Sequence, residues 1–552
     1  MIHDALDALA LTVALSALHV AMGAAAPNRP SVDGAFVHSI AEVNDPLSHG
    51  VVGDSLLSIN EAIQLHNRTL STFQLSAAEQ NQLSGAGSDI AWINIDASSV
   101  PTITVERDFD VIQDWPHGFL LQGYNGDAEI DFTGAGIQHG FRATSNFASW
   151  RNLILRGGPR GIELQQTDAS FGGTVLDHVT FLNQSVAGFV GAGTSVNGYG
   201  RVLFTKCSFS GMPSAITLDE ALVGRTSVFV VADTRASGVA NGIDLLLGPG
   251  GAAVVQYERV SVEASATAIA ARRVVGGDRA MMATFTHVRT RSATGLTIDG
   301  AATASTTVDA RGLDLIAQGM ALALGGIGTG MVGLLEDSRV AGGLGLHAGA
   351  TGLLQANNLH ATGGAVALSS GGGALLVRRT RLVGTNLTTA GGLGIAIEDS
   401  SIEGGTAQGT ASAPLSLLRC HVTAVVGANT TTSAPIAGVQ IGQLTVTPFA
   451  ATAGGLIQIA SEMPVGCVGL YVLGFTSPTP LFVAPELHVY LDLAAAVTLP
   501  GITFGQQISN LSIPNDPAFW DTDWIAQAAV LAPPGVTPAV HSPPPQRFVI
   551  RQ

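Results

Sequence analysis

The sequence predicts an all-β solenoid, in which the chain coils and stacks one turn of short strands on the next. Between residues 150 and 425, similar positions recur every 20 to 28 residues, and each repeat follows a strand–turn–strand pattern such as LDHVTF or FTKCSF. Repeats of this kind indicate one solenoid turn each. The first ladder of positions is Val179, Cys207, Thr234, Val260, Val288, Leu313, Ser338, Asn358, Thr380, Ser400 and Cys420. A second ladder, in phase with the first, is Ile162, Phe189, Ile216, Ile243, Ile269 and Leu296.

The composition is typical of a narrow fold with many corners. Of the 552 residues, 46% are hydrophobic, only 12% are charged, 5% are aromatic and 68 are glycine. Small side chains fit a narrow interior, and glycine suits frequent corners. The net charge of −16 disfavours nucleic-acid partners, because binding to phosphates requires clustered Lys and Arg.

The three cysteines are predicted to be free thiols. Cys207 and Cys420 lie on the first ladder, and at ~4.8 Å per stacked strand they are separated by ~43 Å. That separation is far beyond the reach of a disulfide bond. We therefore expect both to be small core residues, and Cys467, in a later segment, to be unpaired as well.

Residues 1–30 are predicted to form either an apolar N-terminal helix or an atypical signal segment. Residues 9–26 have the length and the small-residue end of a signal-peptide core, but Asp4 and Asp7 precede them, without any Lys or Arg. The favoured alternative is a retained helix, which must be buried against the solenoid end or a neighbouring molecule because it is apolar on all sides. No transmembrane span is expected, since alanine dominates and His19 interrupts the segment.

Residues 31–118 are predicted to be a capping module that starts the solenoid. DSLLSINEAIQLHNRTL indicates a helix with Ser58 as its N-cap and Glu61 three residues later, which is a capping box. A second short helix is expected over residues 76–85, and strands over residues 90–95 and 103–105.

The stretch from EVND through DSLLSINEAI to INID and ITV resembles the N-terminal segment of secreted bacterial right-handed parallel β-helix proteins, which usually contains SLREAI. Ile59 and Asn60 precede Glu61 here, so the arginine of that motif is missing and the segment is degenerate. FLLQGYNGDAEIDFTGAG resembles the opening turns of the same fold. The resemblance implies a right-handed parallel β-helix over residues 119–426 with an N-terminal helical cap, and it implies no active-site residue. The expected inward side chains are Leu121, Ile130, Phe132, Phe141, Leu153, Leu155, Ile162 and Leu164.

A polar, Thr-rich linker is predicted over residues 427–438, followed by a β-sandwich over residues 439–552. This last segment contains about seven short strands, from QLTVTPF to RFVIRQ. Its stretch LSIPNDPAFWDTDWIAQAAVL resembles the C-terminal module of large secreted proteins of planctomycetes and related bacteria, with the match on residues 513–517 and 526–527. The resemblance implies export and an extracellular or cell-surface location, and it assigns no chemistry.

The turns shorten after Ser338, so loops long enough for a binding face are expected between Gly157 and Gly300. Within that region Asp219, Glu220 and Asp244 are the best candidates for contact with a glycan or with calcium. We predict no catalytic residue, no other metal ligand and no other cofactor. The basic cluster is expected to be compensated by neighbouring acids, with an anion or acidic glycan as the alternative. It consists of Arg272, Arg273, Arg279, Arg289 and Arg291.

Acids and bases also alternate along the flank of the first ladder, which indicates a solvated face. Its residues are Glu336, Asp337, Asn357, Arg378, Arg379, Glu398 and Asp399. Asn358, on the ladder itself, is expected to be a hydrogen-bonded core asparagine.

Two functions follow as hypotheses. The first is a non-enzymatic extracellular or cell-surface structural or adhesive protein, a β-helical rod that self-associates into a fibre or surface layer or binds other surface proteins. The alternative is a polysaccharide lyase, a glycoside hydrolase or a glycan-binding protein that uses the lateral face of the longer turns.

Overall fold

The computed structural model describes residues 39–551 apart from short internal segments. The predicted N-terminal helix or signal segment over residues 1–30 therefore lies outside the described residues. The internal segments that are not described are residues 86–89, 114–117, 145–146, 167–172, 194–200, 221–225, 250, 275–278, 300–305, 326–328, 349–350, 372, 385, 390–393, 437–442, 448–449, 465, 485–486, 492–496, 504–505, 520–521 and 533–539.

Most of the chain forms a β-solenoid of stacked, parallel strands, as the repeat predicts. Each turn has three faces, named here A, B and C in the order in which the chain follows them, and each strand pairs in parallel with the equivalent strand one turn later. The stacking starts at Ser39–Val43, which pairs with Ile90–Asp96, and continues to Thr430–Ser433. It is therefore longer at both ends than the predicted β-helix over residues 119–426.

The strands are grouped by face as follows. Face A contains Ser39–Val43, Ile90–Asp96, Phe119–Tyr124, Arg201–Thr205, Ser227–Ala232, Ala252–Glu258, Ala280–Thr286, Thr306–Arg311, Ala374–Arg378, Gly394–Glu398, Leu415–Leu418 and Thr430–Ser433. Face B contains Thr102–Thr104, Ala128–Asp131, Ser208–Ser210, Arg289–Ser292, Asp314–Ala317, Arg381–Gly384, Ser401–Glu403 and His421–Val422. Face C contains Phe141–Ala143, Arg160–Gln166, Ala187–Gly193, Ser214–Glu220, Thr294–Ile298, Met320–Leu324, Asn386–Thr389, Thr406–Gln408 and Val425–Val426.

Some strands bend around a corner and contribute to more than one face. Ala148–Arg156 and Thr174–Leu182 run from face A to face B, and Arg235–Leu247 and Ser261–Arg273 run from face B to face C. Thr329–Ala348 and Thr351–Ser370 contribute to all three faces.

The register confirms the second ladder residue by residue. Phe189 pairs with Ile162 and Ile216, Ile243 pairs with Ile269, and Ile269 pairs with Leu296. All of these side chains are buried, as are the predicted inward residues from Leu121 to Leu164. The interior is one continuous apolar core, in which Phe181 and Phe209 of successive turns stack with ring centroids 4.6 Å apart.

One member of the first ladder was assigned wrongly. Ser338 pairs with Leu359 and not with Asn358. Leu359 is buried, whereas Asn358 has a φ of 53° and turns its side chain out of the core. The two adjacent steps of the repeat are therefore equal, and the aliphatic residue occupies the inward position, as hydrophobic burial requires.

Helices close the N-terminal end of the solenoid, as predicted. The helix Ile59–His66 has both hydrogen bonds of the Ser58–Glu61 capping box, and its apolar side chains join the solenoid core. A 3₁₀ turn at Thr72–Gln74 and a short helix at Ala77–Gln80 follow, and Leu83–Ser84 adds an antiparallel strand beside Ser39–Val43.

The C-terminal segment is a β-sandwich of two sheets that share an apolar core. One sheet contains Gln443–Thr447, Leu456–Glu462 and Gln506–Ser512. The other contains Ala450–Thr452, Val468–Ala484, Leu487–Leu491, Val497–Thr503, Thr522–Leu531, Val540–His541 and Gln546–Arg551, and a 3₁₀ turn lies at Pro517–Phe519. Part of the predicted linker is not a linker, because Thr430–Ser433 forms the last face A strand against Leu415–Leu418.

Candidate functional site

The predicted acidic trio lies on two neighbouring face C strands, in the region of the longer turns. Asp219 aligns with Leu246 of the next turn, whereas Asp244 aligns with Thr217. The two aspartates therefore occupy different columns of the solenoid, and no column of stacked carboxylates forms between them. Asp219 is exposed, and Glu220 beside it is buried.

Glu220 forms a buried ion pair with Arg279. Arg279 Nη1 is 3.0 Å from Glu220 Oε2, and Arg279 Nη2 donates to Ser227 Oγ at 2.5 Å. Burial raises the pKa of Glu220 and lowers the pKa of Arg279, and the attraction between the two charges opposes both shifts. Glu220 is thus a structural partner of Arg279 at the corner between faces C and A.

Asp244 is also paired, but at the surface. Arg272 of the next turn places its Nε 2.9 Å from Asp244 Oδ1, and this contact raises the pKa of the arginine. Arg289 Nε lies 3.7 Å from Asp314 Oδ2. With the Arg279–Glu220 pair, these contacts confirm that acids compensate part of the basic cluster. Within the described parts of the chain, no group of three or more His, Cys, Asp or Glu side chains is arranged to hold a metal ion.

Ion pairs between successive turns recur along the lateral surface. They join an arginine to a carboxylate one turn earlier or later, at Arg156–Glu129, Arg259–Asp233, Arg272–Asp244, Arg378–Glu398, Arg381–Glu403 and Arg419–Asp399. The predicted alternation of acids and bases thus connects neighbouring turns.

A shallow groove of about 510 Å³ follows the corner between faces B and C in the same longer-turn region. Its lining consists of residues 238–240 and 264–265, which are mostly small, and of Glu263 and Arg291, which are charged. Glu263 and Arg291 occupy the same position in successive turns.

The corner between faces A and B carries a column of residues in the left-handed conformation, which we call the corner column. Their φ values lie between 48° and 54°. The members are Asn152, His178, Lys206, Asp233, Arg259, His287, Asp337, Asn358, Arg379, Asp399 and Arg419, with Gly312 in the same place at a φ of 63°. The corner column points away from the core.

The C-terminal sandwich covers part of the corner column. Tyr490 donates a hydrogen bond to Asp337 Oδ2, and Asn358 Nδ2 lies 2.7 Å from the Ser542 carbonyl oxygen. The ring of Tyr490 packs edge-on against His287, with centroids 4.9 Å apart. Asp337, His287 and Tyr490 are all buried. Asp337 is therefore not part of the solvated face that the sequence predicts.

The sandwich also covers the first outward column of face B, which we call the face B column. In successive turns this column is Arg289, Asp314, Arg339, His360 and Arg381. Arg339 Nη1 donates to Gln546 Oε1 at 2.8 Å, and Arg381 Nη1 is 2.7 Å from Glu462 Oε2. Arg547 donates to the His287 carbonyl oxygen.

Sequence reasoning missed this polar interface. Its only signal is a run of Arg, Asp and His over five successive turns. The same position is Ser or Thr at Thr180, Ser208, Ser261 and Ser401, although it is also Arg235 and His421 in two other turns. An unbroken run of ionisable residues over five successive turns of one column indicates that something covers those turns.

Comparison with known proteins gives no match for this chain. No protein-family model, no curated protein and no solved structure matches it. None of the helices in the described ranges is long and apolar enough to span a bilayer.

Proposed function

We propose that this protein is a non-enzymatic extracellular or cell-surface structural or adhesive protein. In this proposal the solenoid is a stiff rod, and rods self-associate into a fibre or a surface layer or bind other surface proteins. The chain would be a secreted bacterial β-helix protein with a degenerate SLREAI-type cap and a planctomycete-type C-terminal module. No nucleic acid and no resident cofactor take part.

The ion pairs between successive turns carry this proposal. Arg259 with Asp233, Arg378 with Glu398, and Arg419 with Asp399 each connect one turn to the next. Carboxylates paired in this way hold the turns in register, as a stiff rod requires. Each exposed pair contributes little alone, but a series of them along a continuous apolar core opposes bending and slippage.

Size-exclusion chromatography with light scattering, together with negative-stain microscopy over a range of protein concentrations, tests the proposal. We expect elongated particles whose mass grows with concentration. A strict monomer at high concentration would contradict the self-assembling version, and it would leave adhesion to another surface protein to be tested by pull-down from an envelope fraction.

The groove between faces B and C favours a second candidate, binding or cleavage of a glycan. Glu263 and Arg291 lie along it, and the exposed Asp219 lies on the adjacent face C. Calcium bridging Asp219 or Asp244 to an acidic glycan belongs to this candidate.

Incubation with acidic polysaccharides, with and without calcium, distinguishes the two candidates through new unsaturated or reducing ends and through retention on glycan arrays. Glycan turnover or binding that is lost in Asp219→Ala or Asp244→Ala, and retained in the face A control Asp177→Ala, would favour the second candidate. No turnover and no retention would favour the rod.

A further inference from the structure

Two buried histidines lie where the C-terminal sandwich, residues 443–551, contacts the solenoid. His287 belongs to the corner column and His360 to the face B column. Both are buried in the docked arrangement, at 0% and 6% exposure. The sandwich packs Tyr490 against His287, and through Gln546 and Glu462 it binds Arg339 and Arg381, the neighbours of His360 in the face B column.

The surroundings of His287 oppose a positive charge. The charged groups that act on it are Arg547 of the sandwich and Arg259 of the preceding turn. Both are cations, and Arg259 is itself paired with Asp233 and Glu258. The Tyr490 ring packs against the imidazole, and the Tyr490 hydroxyl donates to Asp337 and not to His287. Neither ring nitrogen of His287 has a hydrogen-bond partner among the described residues. Burial, followed by these two arginines, lowers the pKa of His287 well below its ordinary value.

His360 is in a similar position one column away. Arg339 precedes it and Arg381 follows it in the face B column, and both arginines bind the sandwich, through Gln546 and Glu462. Arg381 is additionally paired with Glu403. Among the described residues, the imidazole has one hydrogen bond, 3.4 Å long, between Nε2 and Thr362 Oγ1. Burial and the two arginines lower the pKa of His360 to about 3.

We propose that the C-terminal sandwich is a clamp on the solenoid that opens when the surroundings become mildly acidic, exposing the corner column and the face B column. The interface suits this role because it is largely polar, and polar interfaces between domains separate more readily than apolar ones. The inference concerns the interface alone and does not depend on the proposed rod or adhesive function.

The direction of the pH effect follows from linkage. Released histidines titrate near their ordinary pKa of about 6.5, whereas docked ones titrate far lower. The docked state is therefore fully stable above about pH 6.5 and is weakened as the pH falls below that value. Each histidine lowers the docking equilibrium constant by up to about tenfold per pH unit, so the two together lower it by up to about 100-fold per unit.

Hydroxyl-radical footprinting of the full chain between about pH 7.5 and about pH 5 tests the clamp, because this range lies above the ordinary carboxylate pKa values. Tyr490 reports on the interface, and Tyr257, equally buried inside the solenoid, reports on unfolding. We expect oxidation of Tyr490 to rise steeply on acidification while oxidation of Tyr257 stays constant. Unchanged protection of Tyr490 at about pH 5, or loss of both protections together, would overturn the proposal.

Substitution of the histidines tests whether they cause the pH dependence of docking. His287→Asn fits the left-handed backbone, and with His360→Asn it should flatten the pH dependence of Tyr490 oxidation, each variant removing up to about tenfold per pH unit. The matched controls are His178→Asn, exposed in the corner column, and His421→Asn, beyond the covered turns of the face B column. If Tyr490 oxidation depended on pH as steeply in both test variants as in the wild type, the role given to the two histidines would be refuted. Should either variant fail to dock at about pH 7.5, the wild-type titration alone decides the proposal.

Discussion

At the scale of single residues, the corner column places several side chains in a backbone conformation that they rarely adopt. Asn is tolerated in the left-handed conformation, but Lys, Arg and His incur a steric cost there of about 1–2 kcal/mol. The chain nevertheless places Lys206, Arg259 and His287 in it. Glycine at position 312 has a separate explanation, because a Cβ there would lie only 2.8 Å from His287 Nδ1.

Lys206→Asn is therefore expected to stabilise the protein by up to about 1 kcal/mol, because asparagine adopts the left-handed conformation at lower cost. Lys206 is exposed, so its side chain loses little when it is replaced. Urea denaturation followed by circular dichroism measures the change. Thr205→Asn, at the neighbouring strand position, is the control and should be neutral or destabilising; an equal gain there would contradict the explanation.

Glu220→Gln is expected to destabilise the protein by about 3 kcal/mol, because it leaves the buried Arg279 without a compensating charge. The matched surface change, Asp244→Asn, should cost about 1 kcal/mol or less, since its partner Arg272 is exposed to water. The urea midpoints of the two variants, each measured against the wild type, compare the two losses of stability. Similar costs for both variants would mean that the Glu220–Arg279 pair is hydrated in solution.

At the scale of elements, the corner between faces B and C requires very small residues. The position before the second ladder is Gly161, Gly188, Ala215, Gly242 and Ala268 in successive turns. A Cβ on Gly188 would lie 2.6 Å from Phe209 Cδ1 and 3.0 Å from the Ala215 carbonyl oxygen. The tight corner is thus built from close contact between the backbone of one turn and the core of the next.

Gly188→Ala is expected to cost about 1–3 kcal/mol, because the added methyl group overpacks the contact with Phe209. Gly364→Ala is the control, since its added Cβ would have no neighbour closer than 3.7 Å. Thermal or urea unfolding compares the two. A harmless Gly188→Ala would show that the Phe181–Phe209 stack can shift to make room.

At the scale of the whole molecule, the sandwich is attached along the side of the solenoid and not only through the chain. Contacts from Tyr490 to Asp337, from Ser542 to Asn358 and from Arg547 to His287 join residues more than 150 positions apart. Burial and the nearby Asp337 carboxylate raise the pKa of Tyr490, so its hydroxyl stays a donor at neutral pH.

Tyr490→Phe removes the donor to the buried Asp337 and is expected to weaken docking by about 1–3 kcal/mol. The solenoid itself should keep its stability, since the substituted side chain lies outside its core. Footprinting of His287 reports on docking, and circular dichroism reports on the solenoid. Tyr124→Phe, at an exposed position on face A, is the control; an equal effect of both variants would contradict the role of Asp337.

Much of the fold is predictable from the sequence because each turn repeats the same physical requirement. Apolar residues must face the core at the same positions of every turn, so Ile162, Phe189 and Ile216 recur at nearly constant spacing. The error at Asn358 arises where the turns shorten and an asparagine lies beside the true ladder residue, Leu359. The capping helix was predictable for a local reason, the hydrogen bonds between Ser58 and Glu61.

The sequence by itself therefore determined the solenoid, its register over most turns, its helical cap and most strands of the sandwich, because all of these depend on contacts that are local or periodic. It did not predict the sandwich strands Ala450–Thr452, Val497–Thr503 and Val540–His541. Only the tertiary structure decided which surface the sandwich covers. That choice rests on a few polar contacts, such as Arg381 with Glu462 and Tyr490 with Asp337, between segments that share no period. As a result, Asp337, which was expected on a solvated face, is buried against the sandwich.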